Sequence, residues 1–273
     1  MKPMPAGACD CHIHFYGTRE QYPLAPTAVS EPPLATVEQY RRVMATLGTE
    51  RMVLVQPSAY GTDNRCLVDG LRALGPVARG VVTVRPDVAD ADLAAFDAVG
   101  VRAARALMFP GAVLAMNELP ALAARIAPFG WHIQLQLDGR TLPQHEPMLA
   151  ALPVPLVIDH NGKFVEPVTP DHPGMRTLLR LLDSGRCWVK ASAPYETSRR
   201  GPPRYEDVGI IARALVEHAP DRVVWASNWP HGGMPEPRPD DATLLAVLDQ
   251  WAPDPEVRRR ILVDNPRELY GYA

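Results

Sequence analysis

The sequence predicts an α/β fold: a TIM-type (β/α)8 barrel, one domain over residues 1–273. Three observations carry that expectation. Eight short apolar runs alternate with eight longer amphipathic stretches, the pattern of a parallel sheet with right-handed crossovers. The three longest irregular stretches, residues 16–33, 160–172 and 194–203, each follow a candidate strand. They therefore fall on the barrel face that carries active sites. Finally, 273 residues with 47% hydrophobic side chains suffice for one barrel and its core.

Taken in order, the first strand is expected over residues 8–14, followed by a helix over 36–47. The next pairs are 51–57 with 64–74, 78–84 with 89–98, and 101–108 with 118–129. Then come 132–137 with 143–152, 155–159 with 173–184, 187–192 with 205–218, and 222–227 with 240–251. A pair of helices over 254–263 and 266–270 closes the chain. Many of the 30 prolines stand between these runs, where they punctuate loops.

Composition excludes several classes of function. A net charge of −3 leaves no basic footprint for nucleic acid. No apolar run approaches the ~18 residues of a membrane span, and residues 1–7 lack the apolar core of a signal peptide. Four scattered cysteines in a core-rich chain read as reduced thiols, so the cytoplasm is the expected compartment. The expected partner is a small molecule; nothing indicates a macromolecular one or fixes an oligomeric state.

Chemistry concentrates at the C-terminal ends of the candidate strands. The first reads Asp10-Cys11-His12-Ile13-His14. Strict alternation would set Asp10, His12 and His14 on one face, and Cys9, Cys11 and Ile13 on the other, toward the helices. Two imidazoles at spacing two at a strand's exit point into the barrel mouth. The sixth strand ends in Asp159-His160-Asn161-Gly162-Lys163, where Lys163 can reach over the mouth as an anion anchor. The eighth ends in Ser227-Asn228-Trp229-Pro230-His231; Asn228 is either a turn residue or a neutral group where barrel enzymes often keep a carboxylate. Arg105, Lys190 and Ser192 lie on the fourth and seventh strands. A cation on an apolar strand must be paired or face a wet cavity, so Arg105 either clamps a carboxylate or pairs with a core acid. Gln134 with Gln136, and Gln56 with Ser58, suit a polyhydroxylated ligand or satisfy each other.

These residues in this order resemble the amidohydrolase superfamily, in the branch of 2-pyrone-4,6-dicarboxylate lactonases and D-galactarolactone isomerases. The resemblance runs from Asp10-Cys11-His12-Ile13-His14 through Gly130-Trp131-His132, Asp159-His160-Asn161-Gly162-Lys163 and Trp229-Pro230-His231 to Leu262-Val263-Asp264-Asn265-Pro266. It implies an amidohydrolase-like barrel acting on a lactone. Superfamily metal sites use two histidines of strand 1, one each of strands 5 and 6, and an aspartate of strand 8. Here strand 5 offers glutamines, with His132 at its far end, and strand 8 offers Asn228. The resemblance therefore implies no cofactor; one zinc on His12, His14 and His160 is the alternative.

Asn228 also replaces the aspartate that the resemblance assigns as general base for hydrolysis. An amide accepts no proton at neutral pH, and ~10²–10⁴-fold of catalysis would go with the base. An internal hydroxyl nucleophile, with an effective molarity of ~10⁵ M or more, needs less help. The isomerase members are the closer match, also at Gln134-Leu135-Gln136-Leu137-Asp138-Gly139 and Ala193-Pro194-Tyr195-Glu196-Thr197. The expectation is lactone isomerisation by intramolecular acyl transfer. His12, His14, His160 and Asn228 form the catalytic set. Arg105 and Lys163 hold a carboxylate, and Gln56, Ser58, Gln134, Gln136, Lys190, Ser192, Tyr195 and His231 complete the substrate site. The alternatives are lactone hydrolysis, with Asn228 standing for an aspartate, and a barrel that binds a sugar acid without turning it over.

Overall fold

A computed structural model describes residues 4–235 and 237–273. The first three residues of the N-terminal segment read above thus lie outside the described residues. Eight strands form one parallel sheet in sequential order: β1 Cys9–Ile13, β2 Arg51–Val55, β3 Ala78–Val82, β4 Val101–Leu107, β5 His132–Gln136, β6 Leu156–Ile158, β7 Cys187–Ser192 and β8 Val223–Ala226. Each falls within its expected run. The sheet closes on itself where His14 N donates to Trp229 O at 2.8 Å and Asn228 N to His12 O at 3.0 Å. Crossover helices α1 Val37–Leu47, α2 Arg65–Leu74, α3 Asp90–Ala98, α4 Leu119–Ile126, α5 Leu142–Ala150, α6 Pro173–Asp183, α7 Glu206–His218 and α8 Asp241–Trp251 follow the strands in turn. Local chemistry sets these boundaries. At α1, Thr36 and Gln39 cap each other reciprocally, and Gly48 ends the helix at φ 76°.

Alternation divides the strands' side chains between two cores. Met52, Leu54, Ile133, Leu135, Ile158 and Trp225 pack outward into the large core against the helices. Val53, Val55, Val81, Ala103, Val157, Trp188 and Val224 form a smaller cluster inside the barrel. Cys9 and Cys11 belong to the inner cluster, which corrects the expected strand-1 faces. The reason is a bulge: Asp10 pairs with Met52 but Ile13 with Leu54, three steps against two. Asp10 consequently points outward, where it accepts from Tyr40 Oη on α1 at 2.9 Å and from Ser227 N at 2.9 Å. The extra residue turns both Cys11 and His12 inward, and His14 follows them.

The two expected terminal helices are one run, α9 Pro255–Arg259 joined through a π-helical turn at Arg260–Asp264 to α10 Asn265–Tyr270. This run brings Tyr270 and Tyr272 into the inner cluster beside Cys9. Tyr272 Oη donates to Met52 O at 2.6 Å, and the His132 ring meets Tyr270 edge-on. No helix among the described residues is long and apolar enough to cross a membrane.

Candidate active site

Backbone strain marks the C-terminal mouth of the barrel. Among the described residues, seven non-glycine residues have left-handed φ, and six of them stand directly after β6, β7 or β8: His160, Asn161, Lys163, Ala193, Asn228 and His231. Each such conformation costs about 1–2 kcal/mol, so their concentration marks a place where side-chain direction matters more than stability.

Between these turns lies a cavity of about 210 Å³, room for about seven water molecules' share of volume or one small organic acid. Its polar wall is His14, Tyr16, Ser58, Arg105, Gln136, His160, Lys163, Glu196 and Asn228. Leu107, Phe109, Pro57 and Pro32 supply apolar surface. The segment from Tyr16 to Ala35, pinned at its ends by paired backbone bonds of 2.8 and 2.9 Å, brings Val29 and Ser30 over the opening.

Arg105 reaches the cavity wall from β4. Among the described residues it makes no ion pair with a carboxylate. Its fork is held by Gln56 O at 2.6 Å and Gln136 Oε1 at 2.8 Å, while its buried Nε has no partner. The guanidinium is thus fixed at the cavity wall, with Nε itself shielded from the cavity. Lys163, by contrast, pairs with Glu196 across the mouth and sits 5.0 Å over the Phe109 ring. Glu196 also accepts from Asn228 Nδ2 at 3.1 Å.

Beneath the cavity floor a buried polar layer fixes the histidines. His14 Nδ1 meets Val55 O at 2.7 Å, and a carbonyl only accepts, so that nitrogen carries the proton. Neutral His14 then offers Nε2 as an acceptor, and His12 Nε2, 3.2 Å away, donates to it. His12 Nδ1 is left as the acceptor, facing Lys190 Nζ at 3.4 Å and Gln134 Nε2 at 3.3 Å. Lys190 also donates to Gln134 Oε1 at 2.6 Å and Cys11 O at 2.8 Å, and lies 3.6 Å from Asp159 Oδ1. Gln134 Nε2 donates to Asp159 Oδ2 at 3.0 Å. Burial, reinforced by the neighbouring cations Lys190 and Arg105, pushes the rings of His12 and His160 well below the usual histidine range. The same two causes, with Arg105 the larger charge, bring His14 down to about 3. Burial alone would raise Asp159, but Lys190, His160 and Arg105 outweigh it and hold the carboxyl below its ordinary value. His160 Nδ1 lies 2.8 Å from Ser192 Oγ, and its neutral ring lines the cavity.

The metal set considered from sequence is rearranged. Donor atoms of His12, Asp159 and His160 lie within 4.8 Å of one another, whereas His14 stands outside the group, its nitrogens engaged by Val55 and His12. These residues do not fit a divalent ion. Lys190 already supplies the buried positive charge beside Asp159 and aims its ammonium at His12 Nδ1, so a second cation would meet it in a fully buried site.

The structure redistributes several other expected roles. Of the candidate ligand-contacting residues, His14, Ser58, Arg105, Gln136, His160, Lys163 and Asn228 reach the cavity. His12, Gln134, Lys190 and Ser192 are buried and lie outside its lining. Gln56 turns away to donate to Gly61 O at 3.2 Å and Asp63 O at 2.9 Å, holding the loop after β2. Tyr195 and His231 stand behind Asn228, bonded to each other at 2.9 Å. Sequence reasoning gave no role to Glu196, Asp159 or Tyr16. A carboxylate two residues past a strand-7 turn was a usable signal for Glu196; nothing local marked the other two.

Four buried neutral histidines make a prediction about acid stability. His12, His14, His132 and His160 all have ring pKa values lowered by burial. Below the unfolded value of about 6.5, the unfolded chain takes up protons that these rings refuse, so stability falls as pH drops. Asp10 opposes this: burial raises it to about 6, so between there and its unfolded value the folded state holds the extra proton. Net uptake near pH 5 is about three protons, a stability slope of roughly 4 kcal/mol per pH unit. Denaturant titrations at pH 7, 6 and 5 should show a steep loss; equal stability at pH 7 and 5 would refute the neutral-histidine layer.

An amidohydrolase family model matches residues 9–272. The chain is 36% identical to a D-galactarolactone isomerase of Agrobacterium fabrum over 270 residues, covering 97% of this chain and 91% of that one. It is 35% identical to a 2-pyrone-4,6-dicarboxylate hydrolase of Comamonas testosteroni over 277 residues, covering 98% and 91%. An apo crystal structure of an Agrobacterium tumefaciens protein, 36% identical, superposes with a TM-score of 0.93 over 100% of this chain and 98% of that one.

Proposed function

The chain belongs to the amidohydrolase family, and we propose that within it this protein is a metal-independent isomerase of sugar-acid lactones. The reaction is of the kind that turns D-galactaro-1,5-lactone into the 1,4-lactone. The observation that carries this reading is Asn228, an amide at the cavity end of β8, whose nitrogen is taken by Tyr195 and Glu196. It is a group that orients a hydroxyl rather than one that takes its proton.

The step is intramolecular acyl transfer. The substrate's own hydroxyl attacks the ring carbonyl, the new C–O bond forms and the old ring C–O bond breaks. The proton passes from the attacking oxygen to the leaving one, so no water is consumed. His160, at the cavity wall, is the group placed to relay that proton, since an imidazole accepts at one nitrogen and returns it at the same place; its position, and not its basicity in the resting site, supports this role. Arg105 offers its guanidinium to the carboxylate, with Lys163 nearby. Gln136, Ser58 and Tyr16 face the hydroxyls. His12 and His14 hold the floor through their fixed tautomers. The related isomerase of Agrobacterium fabrum supports the choice of substrate class.

One observation favours a second reading. Glu196 is a carboxylate in the cavity, and once parted from Lys163 it would be a base for water, making the protein a lactone hydrolase. Proton NMR of the metal-stripped protein with D-galactaro-1,5-lactone separates the two. The 1,4-lactone is expected before any open acid. Direct appearance of the open acid would replace isomerisation by hydrolysis, and an unchanged ligand would refute both for this substrate.

A further inference from the structure

Behind Asn228 runs a chain of polar contacts that leads away from the cavity to the first turn of α8. Asp241 Oδ1 lies 3.1 Å from His231 Nε2, His231 Nδ1 lies 2.9 Å from Tyr195 Oη, and Tyr195 Oη lies 2.9 Å from Asn228 Nδ2. His231 is 3% exposed, and the Tyr195 ring stands edge-on to it.

Donor and acceptor chemistry gives this chain one direction. The Asp241 carboxylate only accepts, so His231 carries its proton on Nε2. In the neutral ring Nδ1 is then a lone pair, to which the Tyr195 hydroxyl donates. That hydroxyl cannot ionise to escape the assignment, since burial and the nearby Glu196 charge push it well above the usual phenol range. Having given its hydrogen to His231, the Tyr195 oxygen accepts from Asn228, so the side of the amide that faces it must be NH2. Glu196 Oε1, 3.1 Å from the same nitrogen, demands the same orientation independently. Asn228 lines the cavity, and its carbonyl oxygen is the atom left for a ligand.

We propose that Asp241, His231 and Tyr195 are positioning residues, a one-way relay that locks the Asn228 amide with its oxygen toward the substrate's attacking hydroxyl. The relay's direction stands on contacts within the protein, whereas its use in orienting a hydroxyl rests on the isomerase reading above. A freely rotating amide would present NH2 half the time and compete with the hydroxyl for the wrong role. The left-handed backbone at both Asn228 and His231, and the His231 N to Asn228 O bond of 2.9 Å, tie the two side chains into one rigid turn.

Two measurements test it. Long-range proton–nitrogen NMR of the resting, uniformly labelled full chain, with His231 assigned by comparison with His231→Gln, should show the Nε2–H tautomer in the wild type and loss of that single tautomer in Asp241→Asn. A ring protonated on Nδ1 in the wild type would overturn the relay without any reference to activity. Kinetics supply the second test. Tyr195→Phe should lower kcat roughly tenfold with KM little changed, the signature of misorientation rather than lost binding. Asp241→Asn should lower kcat by a smaller factor alone and by nothing further in the Tyr195→Phe background, because the link it acts through is already cut. Independent, multiplying losses would sink the proposal. Absence of lactone turnover in the wild type would instead sink the isomerase reading and leave the tautomer to decide the relay.

Discussion

Asn228→Asp is expected to lower lactone isomerisation by about 10²-fold or more, the cost of losing a preorganised polar group at a reacting centre. The change is one atom, but it replaces the only donor between two acceptors. In the present site Asn228 Nδ2 serves Tyr195 Oη at 2.9 Å and Glu196 Oε1 at 3.1 Å. A carboxylate there would set two acids at hydrogen-bond distance with no proton between them. Such a pair recovers by sharing one proton, which lifts one of its titration steps well above the ordinary carboxyl range. The variant should therefore gain a pH dependence that the wild type lacks. Any slow formation of the open acid should rise with pH through that shared step. Following both rings and the open acid by NMR across pH 5 to 8 checks this. Unchanged ring interconversion would remove Asn228 from the chemistry. Rapid hydrolysis by the variant, with neither reaction in the wild type, would make hydrolysis the ancestral activity of this site and end the isomerase reading.

Much of the frame was legible because barrel strands and helices differ in period. Eight apolar runs gave eight strands, and loop lengths already placed the long excursions at one face. Local rules were enough there, since each element is amphipathic on its own. They failed where a side chain's direction depends on a distant strand. Nothing in Cys9-Asp10-Cys11-His12 announces that an extra residue faces Val53 of β2, yet that bulge turns Cys11 and His12 inward together and sends Asp10 to Tyr40. Depth was equally invisible. Gln134 and Gln136 look equivalent as alternating residues, but two residues along β5 separate a cavity wall from the layer below, where Gln134 bridges Lys190 and Asp159. The pairing of Lys163 with Glu196 joins residues 33 apart through two loops, so sequence could offer a free cation but not its partner.

Replacing Arg105 by methionine should raise KM for a carboxylate-bearing lactone by roughly 10²–10³-fold, the usual cost of removing one partner from a buried charged pair. Because this contact is made equally in ground and transition states, kcat should change far less. Arg105→Lys would recover little, since Gln56 O and Gln136 Oε1 align a fork, and a single ammonium cannot bond both and still face a carboxylate bidentately. Stability tells binding apart from architecture. A cation whose purpose was to hold the barrel would be missed by several kcal/mol when removed. Among the described residues Arg105 is buried without an ion pair and keeps one donor unpartnered, so two hydrogen bonds offset only part of its desolvation in the resting protein. Arg105→Met should leave the resting protein about as stable as the wild type, or more so, while abolishing any stabilisation by added sugar acid. Thermal unfolding with and without D-galactarate reads both quantities at once. A large loss of stability with undiminished response to the acid would place Arg105 in the scaffold and move the carboxylate to Lys163. Loss of the response alone would mean that Arg105's incompletely compensated burial is the feature from which the site draws its affinity for an anion.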